Sequence, residues 1–403
     1  MPYKWPEKRK IIGTGVPRLD GALKASGKAK YSFDRNLPGM LYGKILRSPH
    51  AHCKVVELDL GPAEAMPGVK ASHVIKGKGA ELFYGGDEIV ALAAETEEQA
   101  RDALRKIKIT YEVLPHVASE ADGLKKAVNP KTEQKGEDVD ANFAKAAAVS
   151  EGTYGCPVIT HVCWESHGLV AWWKADDELL VYASTQAVVG TADDLKKTFP
   201  NVKVTCETPF MGGGFGSKFG PDIQGTVCAH LAKKAMRPVK LMLERDEEHW
   251  CAGNRPSQFA KVKAAADKDG KLIAFEAESW GTGGHSSGAD NRLPYVYLPA
   301  GHRFKHFDVA VNASNKRALR APAHPQACLI MEQVMDDVAD KLGMDPVQFR
   351  LKNLPEGKNP LASLRPISVS TSPGATTLTW MPWRRSSLAS VAARISSAAL
   401  AMA

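Results

Sequence analysis

The sequence predicts an α+β protein, and three observations lead to that fold class. Short strand patterns of period two alternate with glycine and proline turns up to about residue 117. A strand, an amphipathic helix and a second strand follow one another directly between residues 89 and 113. A later strand pattern ends in a run of glycines that leads into another helix. Strands and helices mixed in this way are typical of α+β domains.

Composition divides the chain into four segments. We expect an α+β domain at 1–117, a polar, lysine-rich linker ending in a short helix at 118–150, and a second domain at 151–360. Residues 361–403 contain nine serines and four arginines but no Asp, Glu or Lys. We therefore expect an aberrant, disordered tail there.

In the first domain the clearest elements are a strand at 89–93, a helix at 96–106 and a strand at 107–113. Thr96 is the expected N-cap of this helix, and two glutamates follow it in the first turn. Together these elements predict a strand–helix–strand unit in the first domain.

The second domain carries the longer helices. We expect helices near 190–198 and 222–236, a hairpin that turns at 268–271, and a long amphipathic helix that ends at Gly343. Its apolar face is predicted to contain Leu329, Val334, Val338 and Leu342.

Charge and hydropathy disfavour two classes of partner. The 53 basic and 45 acidic residues leave a net charge of +8, but the four tail arginines leave the body with 49 against 45, or +4. Without a basic stripe, the sequence indicates no nucleic-acid partner. It has no apolar run near the roughly 20 residues of a membrane span and no secretory signal, so we expect a cytoplasmic protein.

The stretch MGGGFGSKFG at 211–220 is the first candidate site. Its spacing matches neither the dinucleotide-binding motif nor the phosphate loop of nucleotide hydrolases. A flexible turn is one interpretation. Phe215 lies inside the glycines, and a strand and a helix flank them, so a rigid loop that brings bare backbone to a ligand fits better.

Two further stretches offer polar groups. Arg317 and Arg320 lie in a segment without acids, where Arg320 could bind an anion or could cap backbone carbonyls. Gln186 ends a strand pattern and could donate its amide to a ligand or be solvated.

A fourth stretch alternates polar residues along an expected strand. His161, Cys163, Glu165 and His167 would then share one face. The row could be a set of metal ligands or acid–base groups, an exposed sheet face, or a satisfied buried network.

Taken in order, these stretches resemble the molybdenum-binding large subunit of the xanthine dehydrogenase, aldehyde oxidase and aerobic carbon monoxide dehydrogenase family. The resemblance is carried by STQ at 184–186, MGGGFGSK at 211–218, RALRAPAHPQ at 317–326 and the helical sequence at 331–353. The sequence that begins GTGVPRLDG at residue 13 resembles the hammerhead domain of the same family. The resemblance covers about residues 12–360, and the joint order of the motifs makes it specific.

The resemblance implies a molybdopterin cofactor, with or without an added cytosine dinucleotide, whose molybdenum is held by the pterin without a direct protein ligand. The metal centre would hydroxylate a carbon with oxygen from water. Electrons would then leave through iron–sulfur and FAD subunits on separate chains. The implied cofactor-binding residues are Gln186, Gly213, Gly214, Phe215, Gly216 and Arg320, of which Gln186 and Arg320 are also the implied catalytic residues.

Two departures from the family pattern matter. Phe219 stands in the substrate pocket where purine-oxidising members carry glutamate, which leaves an aldehyde, an aromatic or N-heterocyclic acid, or a small gas as substrate.

Family members also continue for several hundred residues and supply a general-base glutamate, and the change of composition at 361 is typical of a shifted reading frame. We therefore interpret the chain as a truncated member that lacks turnover. The alternatives are a non-catalytic scaffold for partner subunits and a basic nucleic-acid or nucleotide binder.

Overall fold

The computed structural model describes residues 10, 11 and 13–355, so the expected tail lies outside the described residues. Its strands, in chain order, are β1 (Leu41–Arg47), β2 (Cys53–Asp59), β3 (Val69–Val74), β4 (Glu81–Leu82), β5 (Glu88–Ala94), β6 (Lys108–Val113), β7 (Lys131–Gly136), β8 (Ala148–Cys156), β9 (Ile159–Thr160), β10 (Gly168–Ala175), β11 (Glu178–Ala183), β12 (Lys203–Glu207), β13 (Val239–Met242), β14 (Asn254–Arg255), β15 (Gln258–Ala266), β16 (Leu272–Gly281) and β17 (Gly301–Asp308).

Helices lie between and after these strands. They are α1 (Gly21–Ala25), α2 (Gly61–Glu64), α3 (Glu97–Leu104), α4 (Glu120–Lys126), α5 (Val139–Ala144), α6 (Val188–Thr198), α7 (Asp222–Ala235), α8 (Arg245–Trp250), α9 (His324–Leu342) and α10 (Pro346–Asn353). Within the described part of the chain, no helix is both long enough and apolar enough to cross a bilayer.

A seven-stranded mixed sheet joins early and late parts of the chain in the order β12-β11-β10-β13-β1-β5-β3. The junction is the parallel pairing of β1 with β13, where Leu41 is the register partner of Val239. Helix α7 packs on this sheet, and its buried residues Cys228 and Leu231 share a core with Leu169. This core fixes the ends of β11, β12 and α7, which lead to the candidate site.

Two smaller units and the two-stranded pair β14-β9 complete the α+β architecture. Sheet β4-β2-β6 shares a core with α3, whose N-cap Thr96 forms a capping box with Gln99. A five-stranded sheet, in the order β7-β17-β16-β15-β8, packs against α9, and the predicted hairpin is formed by β15 and β16. The segment at 118–150, expected as a linker, contains α4, β7 and α5, and β7 is the edge strand of the five-stranded sheet.

One predicted helix face is partly wrong. Val334 and Val338 are buried in α9 as expected, but Leu329 is 43% exposed, and Ile330 and Met331 are buried in its place. Leu329 lies five positions before Val334, a spacing that turns it away from the common face, whereas Ile330 lies four positions before it.

The expected strand through residues 161–167 is also wrong. The chain there is a loop between β9 and β10, and Val162 has a φ of +50°. That left-handed angle is incompatible with an extended strand. The four alternating polar residues are nonetheless all buried.

Candidate functional site

The glycine-rich loop connects β12 to α7 along a path that side chains disfavour. The φ angle is +100° at Gly213 and +111° at Gly216, and Phe215 between them has a φ of +54°. A non-glycine residue in the left-handed region costs roughly 1–2 kcal/mol. The backbone N–H of Arg320 donates to the Phe215 carbonyl at 2.7 Å, so a distant segment helps to hold this conformation.

One side of the loop, which we call its back face, is anchored by Lys218 and Glu165. Lys218 is 0% exposed, and its Nζ donates to the carbonyl of Glu165 and to the Ser184 Oγ, each at 2.6 Å. The Glu165 carboxylate in turn accepts from the backbone N–H of Gly212 at 2.7 Å. Burial lowers the pKa of Lys218. The lysine therefore points into the protein and supports the loop from behind.

Gln186, three residues beyond β11, is fixed to the same loop. Its side-chain Oε1 accepts from the backbone N–H of Gly216 at 2.7 Å. The backbone N–H of Gln186 donates to the carbonyl of Lys218 at 2.8 Å. Because an N–H can only donate, the side-chain atom facing Gly216 is the oxygen. The Gln186 Nε2 has no acceptor among the described residues and is available to a ligand. A Cβ at Gly214 would lie 2.5 Å from the Gln186 Oε1, so this packing requires glycine.

The two candidate arginines have different environments. The Arg317 Nη1 donates to the Asp222 carboxylate at 2.5 Å and to the Ser217 carbonyl at 3.1 Å. The side chain of Arg320 is exposed and forms no hydrogen bond or ion pair with any residue that the structure describes. Arg317 therefore ties the segment to the start of α7, whereas the Arg320 guanidinium is free for a ligand.

These groups meet in a cleft of about 550 Å³. Phe215 and Phe219 are 43% and 57% exposed, and the backbone N–H groups of residues 213–215 donate to no residue in the described ranges. We call this open side the front face of the loop. The cleft is lined by Gln186, Met211, Gly213, Gly214, Phe215, Gly216, Phe219, Ala318, Leu319, Arg320 and Pro322. The structure thus brings the cofactor, catalytic and substrate-pocket residues implied by the family resemblance into one cleft, whereas Arg317 and the row at 161–167 lie outside its lining.

Comparison with known proteins agrees with this arrangement. Residues 122–354 match the family model of the molybdopterin cofactor-binding domain, more than half of the chain. Residues 26–80 match the hammerhead domain of aldehyde oxidase and xanthine dehydrogenase. The chain belongs to the family of molybdenum-binding subunits of xanthine dehydrogenases and aldehyde oxidases. The expected family and the α+β fold class are confirmed.

Individual members of this family are similar over most of the chain. The aldehyde oxidoreductase molybdenum-binding subunit PaoC of Escherichia coli (strain K12) is 31% identical over 372 residues, covering 85% of this chain and 50% of PaoC. The nicotinate dehydrogenase large molybdopterin subunit of Eubacterium barkeri is 30% identical over 380 residues, covering 85% of this chain and 89% of that subunit. The chain thus spans about half the length of PaoC.

A solved structure of the same architecture supports the fold. The crystal structure of quinoline 2-oxidoreductase from Pseudomonas putida 86 superposes with a TM-score of 0.76 at 24% identity. The match covers 86% of this chain and 50% of that chain.

In this family member the buried row at 161–167 forms a hydrogen-bonded network behind the cleft. The His161 Nε2 bonds to the carbonyl of Ala318 at 2.8 Å, and Glu165 holds Gly212 as described above. Burial lowers the pKa of His161. Of the alternatives left open by the sequence, a buried network describes these residues best, and it is not fully satisfied, since the His167 Nε2 has no partner among the described residues.

Part of that row also has the residue types of a metal site. Ligand atoms of Cys163, His167 and Glu248 lie within 4.8 Å of one another, and all three residues are buried. His167 and Glu248 are already hydrogen-bonded at 2.9 Å, and the Arg245 guanidinium donates to the Cys163 carbonyl at 2.7 Å. The adjacent fixed cation and the existing hydrogen bond favour a structural pair over a metal site.

The support given by Lys218 was not predicted from the sequence, although a signal was present. Lys218 is the lone charged residue between Glu207 and Asp222. A solvent-exposed loop of that length normally carries several charges, so a single lysine among glycines and aromatics is an indication of a buried partner.

Proposed function

We propose that this chain is the part of a molybdenum hydroxylase large subunit that holds one side of the molybdopterin cofactor and receives a small substrate. The proposal rests on one observation: the free Arg320 guanidinium, the free Gln186 Nε2 and the unpaired N–H groups of residues 213–215 line the same cleft. The amide and backbone donors are held in place, and the guanidinium beside them has no acceptor among the described residues, an arrangement that favours an anionic, oxygen-bearing group.

The residues present fit the cofactor. Gly213 and Gly214 offer backbone N–H groups on the front face without side chains, and Gly216 orients the Gln186 amide so that its NH₂ remains available. When bound, molybdopterin supplies a molybdenum centre that accepts two electrons from the substrate. Gln186 and residues 213–215 would hold its oxygen ligands, and Arg320 would stabilise negative charge that develops on the substrate. The cytosine dinucleotide form of the cofactor belongs to this proposal.

The lining favours an aromatic aldehyde or an aromatic or N-heterocyclic acid as substrate. Phe219 and Phe215 offer exposed ring faces, Leu319 and Pro322 add apolar surface, and Arg320 adds one cation. A purine is disfavoured as substrate. Its ring would find no carboxylate to bind it, because none of the cleft-lining residues in the described ranges is acidic.

A general base is also needed for the reaction, and no described residue in the cleft lining can act as one. In this proposal the base comes from the remainder of the large subunit, and electrons pass to iron–sulfur and FAD subunits in the cytoplasm. The chain alone would then bind cofactor weakly and lack turnover. The same observation favours a second candidate, a non-catalytic homologue that only binds partner subunits.

Metal analysis and dye reduction test the proposal. The chain would be produced with molybdopterin synthesis active, alone and together with the second half of a related large subunit and its partner subunits. We expect molybdenum and reduction of dye by benzaldehyde or nicotinate only in the assembled complex, and loss of both on Gly214→Leu. Partner binding without molybdenum in any preparation would replace the proposal with the non-catalytic alternative.

A further inference from the structure

Arg255 lies behind the segment that carries Arg320, outside the group of residues named from the sequence. Its side chain is buried, and the residue as a whole is 5% exposed. The Nη2 donates to the backbone carbonyl of Arg320 at 2.6 Å, and Nη1 donates to the carbonyl of Ala321 at 3.2 Å. A third bond runs from Nη1 to the Oε1 of Gln326, also at 3.2 Å. One guanidinium thus binds both peptide units that follow the cleft arginine.

The arrangement is unusual for a buried cation. No described carboxylate lies within ion-pair distance of Arg255, so its charge is balanced by carbonyl and amide dipoles alone. Gln326 is itself buried and fixed by a bond from its Nε2 to the Pro256 carbonyl at 3.0 Å. A buried charge is retained only where good hydrogen-bond geometry offsets the loss of hydration.

The segment that Arg255 holds is strained. Ala321 has a φ of +59° and Ala323 a φ of +66°, and neither residue is a glycine. The segment also packs tightly on the glycine-rich loop, since a Cβ at Gly216 would lie 2.5 Å from the Ala318 carbonyl oxygen. Left-handed alanines persist only where surrounding contacts determine the backbone. Arg255 binds the carbonyl of Ala321, the first of these strained residues, and the carbonyl of Arg320 directly before it.

We propose that Arg255 is a positioning residue that fixes the backbone of Arg320, so that the Arg320 guanidinium is presented to the cleft. This inference rests on the proposed function for the role of Arg320. The planar fork of Arg255 reaches two successive carbonyls, which a lysine ammonium on a single flexible stem can do only in part.

Hydrogen exchange of the full chain tests the positioning role without cofactor or turnover. The amides of Arg317 and Arg320 donate to the carbonyls of Asn254 and Phe215, at 3.0 and 2.7 Å. We expect exchange at these two amides to be about 10- to 100-fold faster in Arg255→Met than in the wild-type chain, because two charge-assisted bonds to the segment are lost. Arg255→Lys should restore part of the protection.

The matched control is Arg350→Lys, because Arg350 binds α9 through Glu332 and Asp336 and lies outside the cleft lining. It should leave exchange at Arg317 and Arg320 unchanged. Unchanged exchange in Arg255→Met, or an equal increase in Arg350→Lys, would overturn the inference. If Arg255→Met does not fold, exchange is measured in Arg255→Lys instead. Partial loss of protection at the Arg317 and Arg320 amides then supports the positioning role, and wild-type protection there contradicts it.

A ligand readout separates this inference from the proposed function. Benzoate, an aromatic carboxylate, would be titrated against the full chain and followed by calorimetry. We expect about tenfold weaker binding in Arg255→Met and partial recovery in Arg255→Lys. Failure of the wild-type chain to bind benzoate would count against the proposed substrate class, whereas the exchange data would still decide whether Arg255 positions the segment.

Discussion

The back and front faces of the glycine-rich loop use their polar groups in opposite ways. Behind the loop, Lys218 and Glu165 have partners within 2.7 Å, and the lysine is shielded from water. In front, Arg320, the Gln186 Nε2 and three backbone N–H groups have no partner among the described residues. Satisfied contacts on one side keep the Gln186 amide and the backbone donors on the other side in place, because a donor fixed by the protein need not reorganise when a ligand arrives.

The largest expected effect comes from adding a methyl group at Gly216, where the glycine-rich loop packs against the segment that carries Arg320. In Gly216→Ala the new Cβ would meet the backbone carbonyl of Ala318 at 2.5 Å, at a φ of +111°. We expect a loss of about 3 kcal/mol in the free energy of unfolding, measured by urea denaturation. Gly79→Ala is the control, because Gly79 has a φ of +86° and open space around it. A loss there as large as in Gly216→Ala would show that backbone strain alone is responsible.

A smaller effect is expected when the back face loses its anchor. Lys218→Met keeps the length of the side chain but leaves the Glu165 carbonyl and the Ser184 hydroxyl without their donor. We expect a loss of about 2 kcal/mol, again in urea denaturation. Lys197→Met, which removes an exposed lysine paired with Asp194, should change stability by less than about 0.5 kcal/mol. Equal effects of the two substitutions would contradict the anchoring role.

The two arginines offer the most direct comparison of the faces. Arg317→Met should destabilise the chain by about 1 kcal/mol, since the contacts to Asp222 and Ser217 are lost. Arg320→Met should leave stability within about 0.5 kcal/mol of the wild type and weaken benzoate binding. Denaturation and calorimetry on the same preparations check both statements. A destabilised Arg320→Met chain would mean that its guanidinium has a structural partner.

The smallest expected effect is a pH dependence from His161. Burial lowers the pKa of His161, and the charge of Arg317 acts in the same direction. Below about pH 6.5 the unfolded chain therefore binds a proton at His161 that the folded chain does not bind. The free energy of unfolding falls as pH decreases from about 6.5 towards the lower pKa of the folded chain. In His161→Gln this part of the slope should disappear. Exposed His116→Gln is the control and should keep the slope of the wild type; an unchanged slope in His161→Gln would refute the assignment.

Much of the fold could be predicted because its signals are local. Thr96 and the glutamates after it mark the start of α3, the KDGK turn marks the hairpin of β15 and β16, and a strand followed by glycines marks the entry to α7. These features depend on capping, turn geometry and periodicity within a few residues. The loop at 161–167 was not predictable in this way, because alternation alone does not reveal the left-handed angle at Val162.

The sequence by itself determined the family, the order of the elements and which residues could meet at the glycine-rich loop. Only the tertiary structure decided which of those side chains already have hydrogen-bond partners in the protein and which are left for a ligand. Nothing local distinguishes Arg317 from Arg320, three positions apart, or shows that Lys218 turns inward and that Arg255 holds the Arg320 backbone. The partners of Arg317, Lys218 and Arg255 lie 34 to 100 residues away in sequence in the bonds that decide these roles. Hydrogen bonds over such separations form only when the sheets and helices have packed, and the packed backbone then determines which polar groups remain for a ligand.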